Sequence, residues 1–205
     1  MGAILQRIRR ESSGHYRAAL HRADRECPVD RGTWSLTHRK AATLPHRSVA
    51  MEEIQDRRRE KRIPNARALH DYVNLYFDAH NPMLSKCRRH NDSICVLRVE
   101  ATVLERSGVI VSDRNAAADW VRFYPVTEGL QALEKELVFA EYWTNSTDLL
   151  DERRRKAVKC AEVLVPDSIS PELLLGAYVA NDRALRTYQG LDIRLPVVIK
   201  SSMFF

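Results

Sequence analysis

The side chain in this sequence whose setting could do chemistry is Glu162. It lies in Lys159-Cys-Ala-Glu-Val-Leu-Val-Pro166, a short apolar run that carries one carboxylate. Val163, Leu164 and Val165 favour a strand, and Pro166, with no backbone N–H to donate, cannot continue a ladder. The run therefore reads as a strand that ends at a turn. Two placements are open for Glu162. It can face solvent from an edge strand, with Val163 and Val165 turned inward, or it can sit inside a sheet. An ionised carboxylate inside costs several kcal/mol unless a cation or hydrogen-bond donors compensate it, so the second placement demands a partner.

The elements that must position such a residue read as short strands mixed with short helices. Trp34 to His38 is a candidate first strand, followed by a helical turn over Arg39 to Leu44. Ser48 to Arg62 reads as an exposed charged helix ended by Pro64. Strands are expected over Leu69 to Phe77, Ile94 to Val99, Val109 to Val111, Ala177 to Ala180 and Pro196 to Ile199. Ser112 and Asp113 are good N-cap residues and predict a helix over Ala116 to Tyr124. Glu128 to Phe139 keeps helical spacing, Glu141 to Asp151 reads as a loop, and Asn181 to Gln189 as a helix. The elements follow no regular βαβ rhythm, which predicts an α+β fold.

Length and composition bound the answer further. At 205 residues the chain suits one domain with an extension. Residues 1 to 62 hold 15 Lys and Arg against 8 Asp and Glu, whereas the rest holds 18 against 19, so the basic excess is N-terminal. That asymmetry suits contact with a polyanion or a solvated face. Residues 1–33 read as a basic, loosely ordered extension and 34–205 as the folded domain. Cys27, Cys87, Cys95 and Cys160 are far apart, the seven histidines are scattered, and neither a metal site nor a disulfide framework is expected. No apolar run approaches the ~20 residues that span a bilayer, which predicts a cytoplasmic protein without a membrane partner. GxGxxG, GxxxxGK[ST] and GxSxG are all missing from the sequence, so a dinucleotide fold of the usual kind, a P-loop enzyme and an α/β-hydrolase are unsupported.

Three segments, in order, resemble the DarT family of ADP-ribosyltransferases, which use NAD to modify bases in single-stranded DNA. Ile54-Gln-Asp-Arg-Arg58 looks like that family's I-Q-E-R-R. Leu69-His-Asp-Tyr-Val-Asn-Leu-Tyr-Phe77 with Asn81-Pro-Met-Leu84 is similar to L-H-D-Y-V-P-F-Y-F and S-P-M-L. Lys159 to Val165 is similar to the Q-A-E-F-L-V strand that bears the family's catalytic glutamate, and Ser112-Asp-Arg-Asn115 resembles its T-D-R-H or T-D-G-N turn.

The resemblance implies an ADP-ribosyltransferase-like fold and catalytic roles for Glu162 and Arg58. It implies NAD as co-substrate, bound by Ser35, Leu36, Thr37 and Arg58, with no metal. Asn115, Tyr142, Trp143 and Arg154 become candidates for contact with the DNA. His70, Tyr72, Tyr76 and Met83 match motif positions; Tyr72 and Tyr76 read as core or wall aromatics and Met83 as packing, with stacking against a base as the alternative. A macrodomain antitoxin is the implied partner of a toxin. The N-terminal segment departs from the family's Y-H-I-T-H-I-D-N-L: it keeps Thr37 and His38, puts Ser35 where a histidine often stands, and lacks the D-N pair and the following glycine. That departure leaves open a nucleic-acid-binding module that no longer holds NAD; among enzymes, transfer to RNA or protein, or plain NAD hydrolysis, is the alternative.

Overall fold

The structure is a computed structural model that describes residues 15–22, 35–36, 52–144, 147–191 and 193–205, with side chains from residue 56 onward. Its frame is an eight-stranded sheet. The strands are β1 (His15–Arg22), β3 (Tyr72–Tyr76), β4 (Ile94–Glu100), β5 (Ile110–Ser112), β6 (Phe123–Pro125), β7 (Glu162–Pro166), β9 (Leu174–Val179) and β10 (Val197–Ile199). They lie in the order β10-β9-β4-β1-β3-β7-β5-β6. Only the β9–β10 pairing is parallel; every other neighbour pair in the sheet is antiparallel. A second, two-stranded sheet pairs β2 (Ser35–Leu36) with β8 (Ser168–Ile169).

Around the sheet run six short α-helices among the described residues: α1 (Glu52–Glu60), α2 (Pro82–Lys86), α3 (Val126–Ala132), α4 (Lys135–Val138), α5 (Leu149–Lys159) and α6 (Asp182–Gln189). Asn81, Asp148 and Asn181 start α2, α5 and α6, each side-chain oxygen accepting a bond from a backbone N–H of the first turn. The mixture of small elements is the α+β architecture that the sequence predicted. None of these helices is long and apolar enough to cross a membrane.

β7 is a central strand, which decides where Glu162 goes. Successive side chains of a strand point to opposite faces, so Val163 and Val165 enter one apolar cluster with Val73, Leu75 and Val111. Leu164, and Glu162 with it, face the other way, toward a smaller cluster of Ile63, Leu69, Tyr72 and Ala116. Both faces are covered, and all five residues of β7 are buried. The solvent-facing edge placement of Glu162 is excluded.

Four expectations need correction. The basic segment expected to be loosely ordered contributes β1, which pairs with β4 from His15 to Arg22 and with β3 at Arg17 and Tyr76, so the sheet extends into residues 1–33. Residues 116–124 form no helix. Asp113 does not cap one, because its Oδ1 accepts from Arg122 N at 2.9 Å and closes a hairpin loop between β5 and β6. The helix expected over 128–139 is two helices, α3 and α4, separated at Leu133 and Glu134. The loop expected over 141–151 is cut short by α5, which begins at Leu149. The turn expected at 39–44 lies outside the described residues.

Gly129 lets α3 sit directly on β5. A Cβ there would lie 2.5 Å from the Cβ of Val111. Gly129→Ala is therefore expected to cost about 1–3 kcal/mol of stability through overpacking, read as a lowered Tm. At the end of α5, burial pushes the Cys160 thiol up to about 12, and the neighbouring Glu162 carboxylate adds to the shift. The folded state then keeps a proton that the unfolded chain releases near 9. This contribution to stability is full below pH ~9 and is lost as the pH rises through ~12. Urea unfolding from pH 8 upward should show that decline weakened in Cys160→Ala, and native Cys160 should resist iodoacetamide at pH 8.

Candidate active site

The site forms where α1, β7 and the β5–β6 loop meet. In the last turn of α1, Arg57 and Arg59 face solvent while Arg58, about 100° round the helix from each, turns inward and is 5% exposed. The helix expected to be wholly exposed thus delivers one guanidinium to the interior. Its chain is fixed beyond the helix by Leu69 N donating to Lys61 O at 3.0 Å and by a bridge between Arg62 and Ala68.

Glu162, fully buried, receives that guanidinium. Arg58 Nη1 donates to Oε2 at 3.1 Å and to Oε1 at 3.3 Å. Ala116 N donates to Oε1 at 3.0 Å. Both carboxylate oxygens therefore have donors, one of them charged, as a buried anion requires. The backbone is held as firmly: Glu162 N donates to Ser112 Oγ at 3.2 Å, and Ser112 Oγ donates to Arg114 O at 2.8 Å.

Ladder register places Tyr76, Glu162 and Ser112 side by side across β3, β7 and β5. Tyr76 is buried, and desolvation first, then the Glu162 charge, hold its hydroxyl well above the ordinary tyrosine value. Its hydroxyl stays neutral at ordinary pH. The sequence reading took Ser112 as an N-cap and the start of a family-like turn and gave Ala116 no part in the site; Ser112 is placed beside Glu162 only by strand register, and Ala116 acts through its backbone.

The sequence candidates separate into three groups. Arg58, Glu162 and Asn115 come together, Asn115 being adjacent to Ala116 and holding the turn through Oδ1, which accepts from Ala117 N at 2.8 Å. Lys61 reinforces the same loop by donating to Ala118 O. Tyr142 and Trp143 line a separate depression with His80 and Phe205, to which neither Arg58 nor Glu162 contributes. Arg154 lies on α5 and pairs with Glu134 and Asp151. Ser35 and Leu36 form β2 and pair with β8, the short strand that follows β7, and Thr37 lies outside the described residues. His70, Tyr72 and Leu69 are buried, as motif residues that pack would be.

A site of this kind can hold a carboxylate dry and charged against a developing cation, and its donors are already in place. Among the described residues no three His, Cys, Asp or Glu gather as a metal would need.

Comparison with known proteins gives this arrangement its family. The family described as "ssDNA thymidine ADP-ribosyltransferase, DarT" matches residues 29–205. A DNA ADP-ribosyl transferase-DNA ADP-ribosyl glycohydrolase fusion protein of Thermosipho africanus is 24% identical over 176 residues, covering 80% of this chain and 44% of its own length. The chain spans about half the length of the curated relatives it matches, 44% to 58%. Thermus sp. 2.9 DarT in complex with ADP-ribosylated ssDNA superposes with a TM-score of 0.76 at 23% identity, covering 94% of this chain and 96% of that one. The same Thermus protein in complex with NAD+ gives 0.72 at 20% identity, covering 95% and 98%. The fold is that of the DarT ADP-ribosyltransferases, and the chain belongs to the DarT family.

Proposed function

We propose that this protein transfers ADP-ribose from NAD to a thymine base in single-stranded DNA. The observation that carries the reading is the buried Glu162 carboxylate, held by Arg58 and the Ala116 amide in a chain of this family. The bond between nicotinamide and its ribose breaks, and nicotinamide leaves with the bonding electrons. Positive charge grows on the ribose carbon, where a desolvated carboxylate is worth far more than in water. A nitrogen of the base forms the new glycosidic bond, and its proton passes to solvent. Arg58 pairs with the carboxylate and orients it, and the Ala116 amide anchors Oε1.

Asn115, on the turn beside Glu162, is assigned to the acceptor side, and Ser35, Leu36 and Thr37 to NAD. Arg154 is retained as a candidate cation for the strand. The protein is read as a cytoplasmic toxin with a macrodomain antitoxin, a partnership that the glycohydrolase half of the Thermosipho fusion supports. No part of the chemistry calls for a metal.

Intact-mass analysis of a mixed-sequence single-stranded oligonucleotide, incubated with protein and NAD, should show one added ADP-ribose. Glu162→Gln should lower that product at least about a hundredfold. Because it leaves Arg58 buried without its counter-charge, the same change should cost about 3–5 kcal/mol of stability. A circular-dichroism check must therefore accompany the assay. A folded Glu162→Gln that still modifies DNA would overturn the assignment. An unmodified oligonucleotide that nevertheless binds wild type in a salt-sensitive way would favour the binding module. Adducts on RNA or protein instead would move the acceptor and keep the chemistry.

A further inference from the structure

Glu162 stands on the last rung of both ladders that hold β7. The β3–β7 register runs from Tyr72 and Pro166 to Tyr76 and Glu162 and ends there, and the β5–β7 register ends at Ser112 and Glu162. Strands open first at the end of a ladder, where a rung has a bonded neighbour on one side only. The proposed chemistry asks the reverse of this position, because a displacement of about 1 Å at a reacting group can cost about a hundredfold in rate.

A buried lysine closes the ladder beyond that rung. Lys159, the last residue of α5, is fully buried, and its ammonium donates to Asp78 Oδ2 at 2.7 Å and to Val138 O at 3.1 Å. Asp78 lies two residues past Tyr76, and Lys159 three residues before Glu162. In an antiparallel pair these positions fall on the same side of the last rung, so the ion pair crosses between the two chains just outside it. Val138 ends α4, so the same ammonium ties in a third element. Asp78 is itself fixed, its Oδ1 accepting from His80 N at 3.0 Å. From Lys159 the chain passes through Cys160 and Ala161, both buried, straight into β7. Three residues span at most about 11 Å, which leaves little slack between this pair and the carboxylate.

Stability alone explains the pair poorly, since apolar side chains of similar volume often serve a fold as well as a buried ion pair does. What apolar burial lacks is direction. An ammonium with three donors fixes its distance to each acceptor. Resting on the proposed catalytic role of Glu162, we infer that Lys159 is a positioning residue for the transfer reaction: with Asp78 it clamps the open end of the β3–β7 ladder and holds the Glu162 carboxylate in place. Being fully buried, it acts through the backbone of β7 and not by contact with a substrate.

The test is the double variant Lys159→Met, Asp78→Asn, which leaves neither charge buried alone and keeps an acceptor for His80 N. Circular dichroism should show it folded. In steady-state transfer to a single-stranded oligonucleotide, kcat should fall at least about tenfold, with KM for NAD and for the strand within about twofold of wild type. Hydrogen exchange should quicken at least about tenfold at the Glu162 amide while the Leu164 amide, in mid-strand, keeps its protection. Should the double variant fail to fold, Lys159→Gln, which removes the ammonium and leaves the partly exposed Asp78 in place, is read by the same two measurements with the same expected directions. A folded variant with wild-type kcat would overturn the clamp and leave the transfer reading standing. So would a loss confined to KM, or exchange raised alike at Glu162 and Leu164. No adduct from wild type would overturn the transfer reading and the positioning role with it.

Discussion

The structure depends on keeping one carboxylate charged inside a sheet. Glu162 has no access to water, and its charge is sustained by Arg58 Nη1 on both oxygens and the Ala116 amide on one. Burying two ions costs several kcal/mol each before their attraction is counted, and well-packed apolar residues would often serve stability as well. The pair is therefore weakly explained by stability and well explained by chemistry. A donor set assembled before any substrate arrives spends nothing on reorganisation at the moment of reaction.

That requirement organises its surroundings. α1 must end with Arg58 turned inward, so the segment after it folds back onto Leu69 and Ile63 enters the apolar cluster beside Leu164. The β5–β6 loop must bring the Ala116 amide to Oε1. Asp113 closes its mouth on Arg122, Asn115 shapes its turn, and Lys61 ties it to the Arg58 segment. Just before β7, at the same end as Glu162, the Lys159–Asp78 pair joins the end of α5 to the residues after β3. Two separate parts of the chain, α1 and the β5–β6 loop, converge on a single side chain.

The strand bearing Glu162 was legible because β-branched residues and a closing proline say so locally. Whether it was an edge or a central strand was not, since a strand buried on both faces reads as a plain apolar run. Arg58 could be paired with it only through resemblance to known sequences, because a contact across 104 residues leaves no local trace. The hairpin loop at 113–122 was misread for a physical reason: a Ser-Asp pair caps helices and closes loops equally well, and only the position of Arg122 N distinguishes the two. β1 was missed because His15–Arg22 carries four Arg or His residues, His15, Arg17, His21 and Arg22, and little of the apolar alternation that marks a strand. The clustering of His80, Trp143 and Phe205 was invisible for the same reason as the ion pair.

The central claim is that the Arg58–Glu162 pair exists for catalysis and not for the fold. The most direct measurement is made on the double variant Arg58→Met, Glu162→Gln, which removes both charges and keeps an acceptor for Ala116 N. Unfolding free energy and ADP-ribose transfer to a single-stranded oligonucleotide would be determined on the same preparation. The account predicts stability within about 2 kcal/mol of wild type, since no charge is left buried alone, with transfer abolished. A folded double variant that still modifies the oligonucleotide would contradict it.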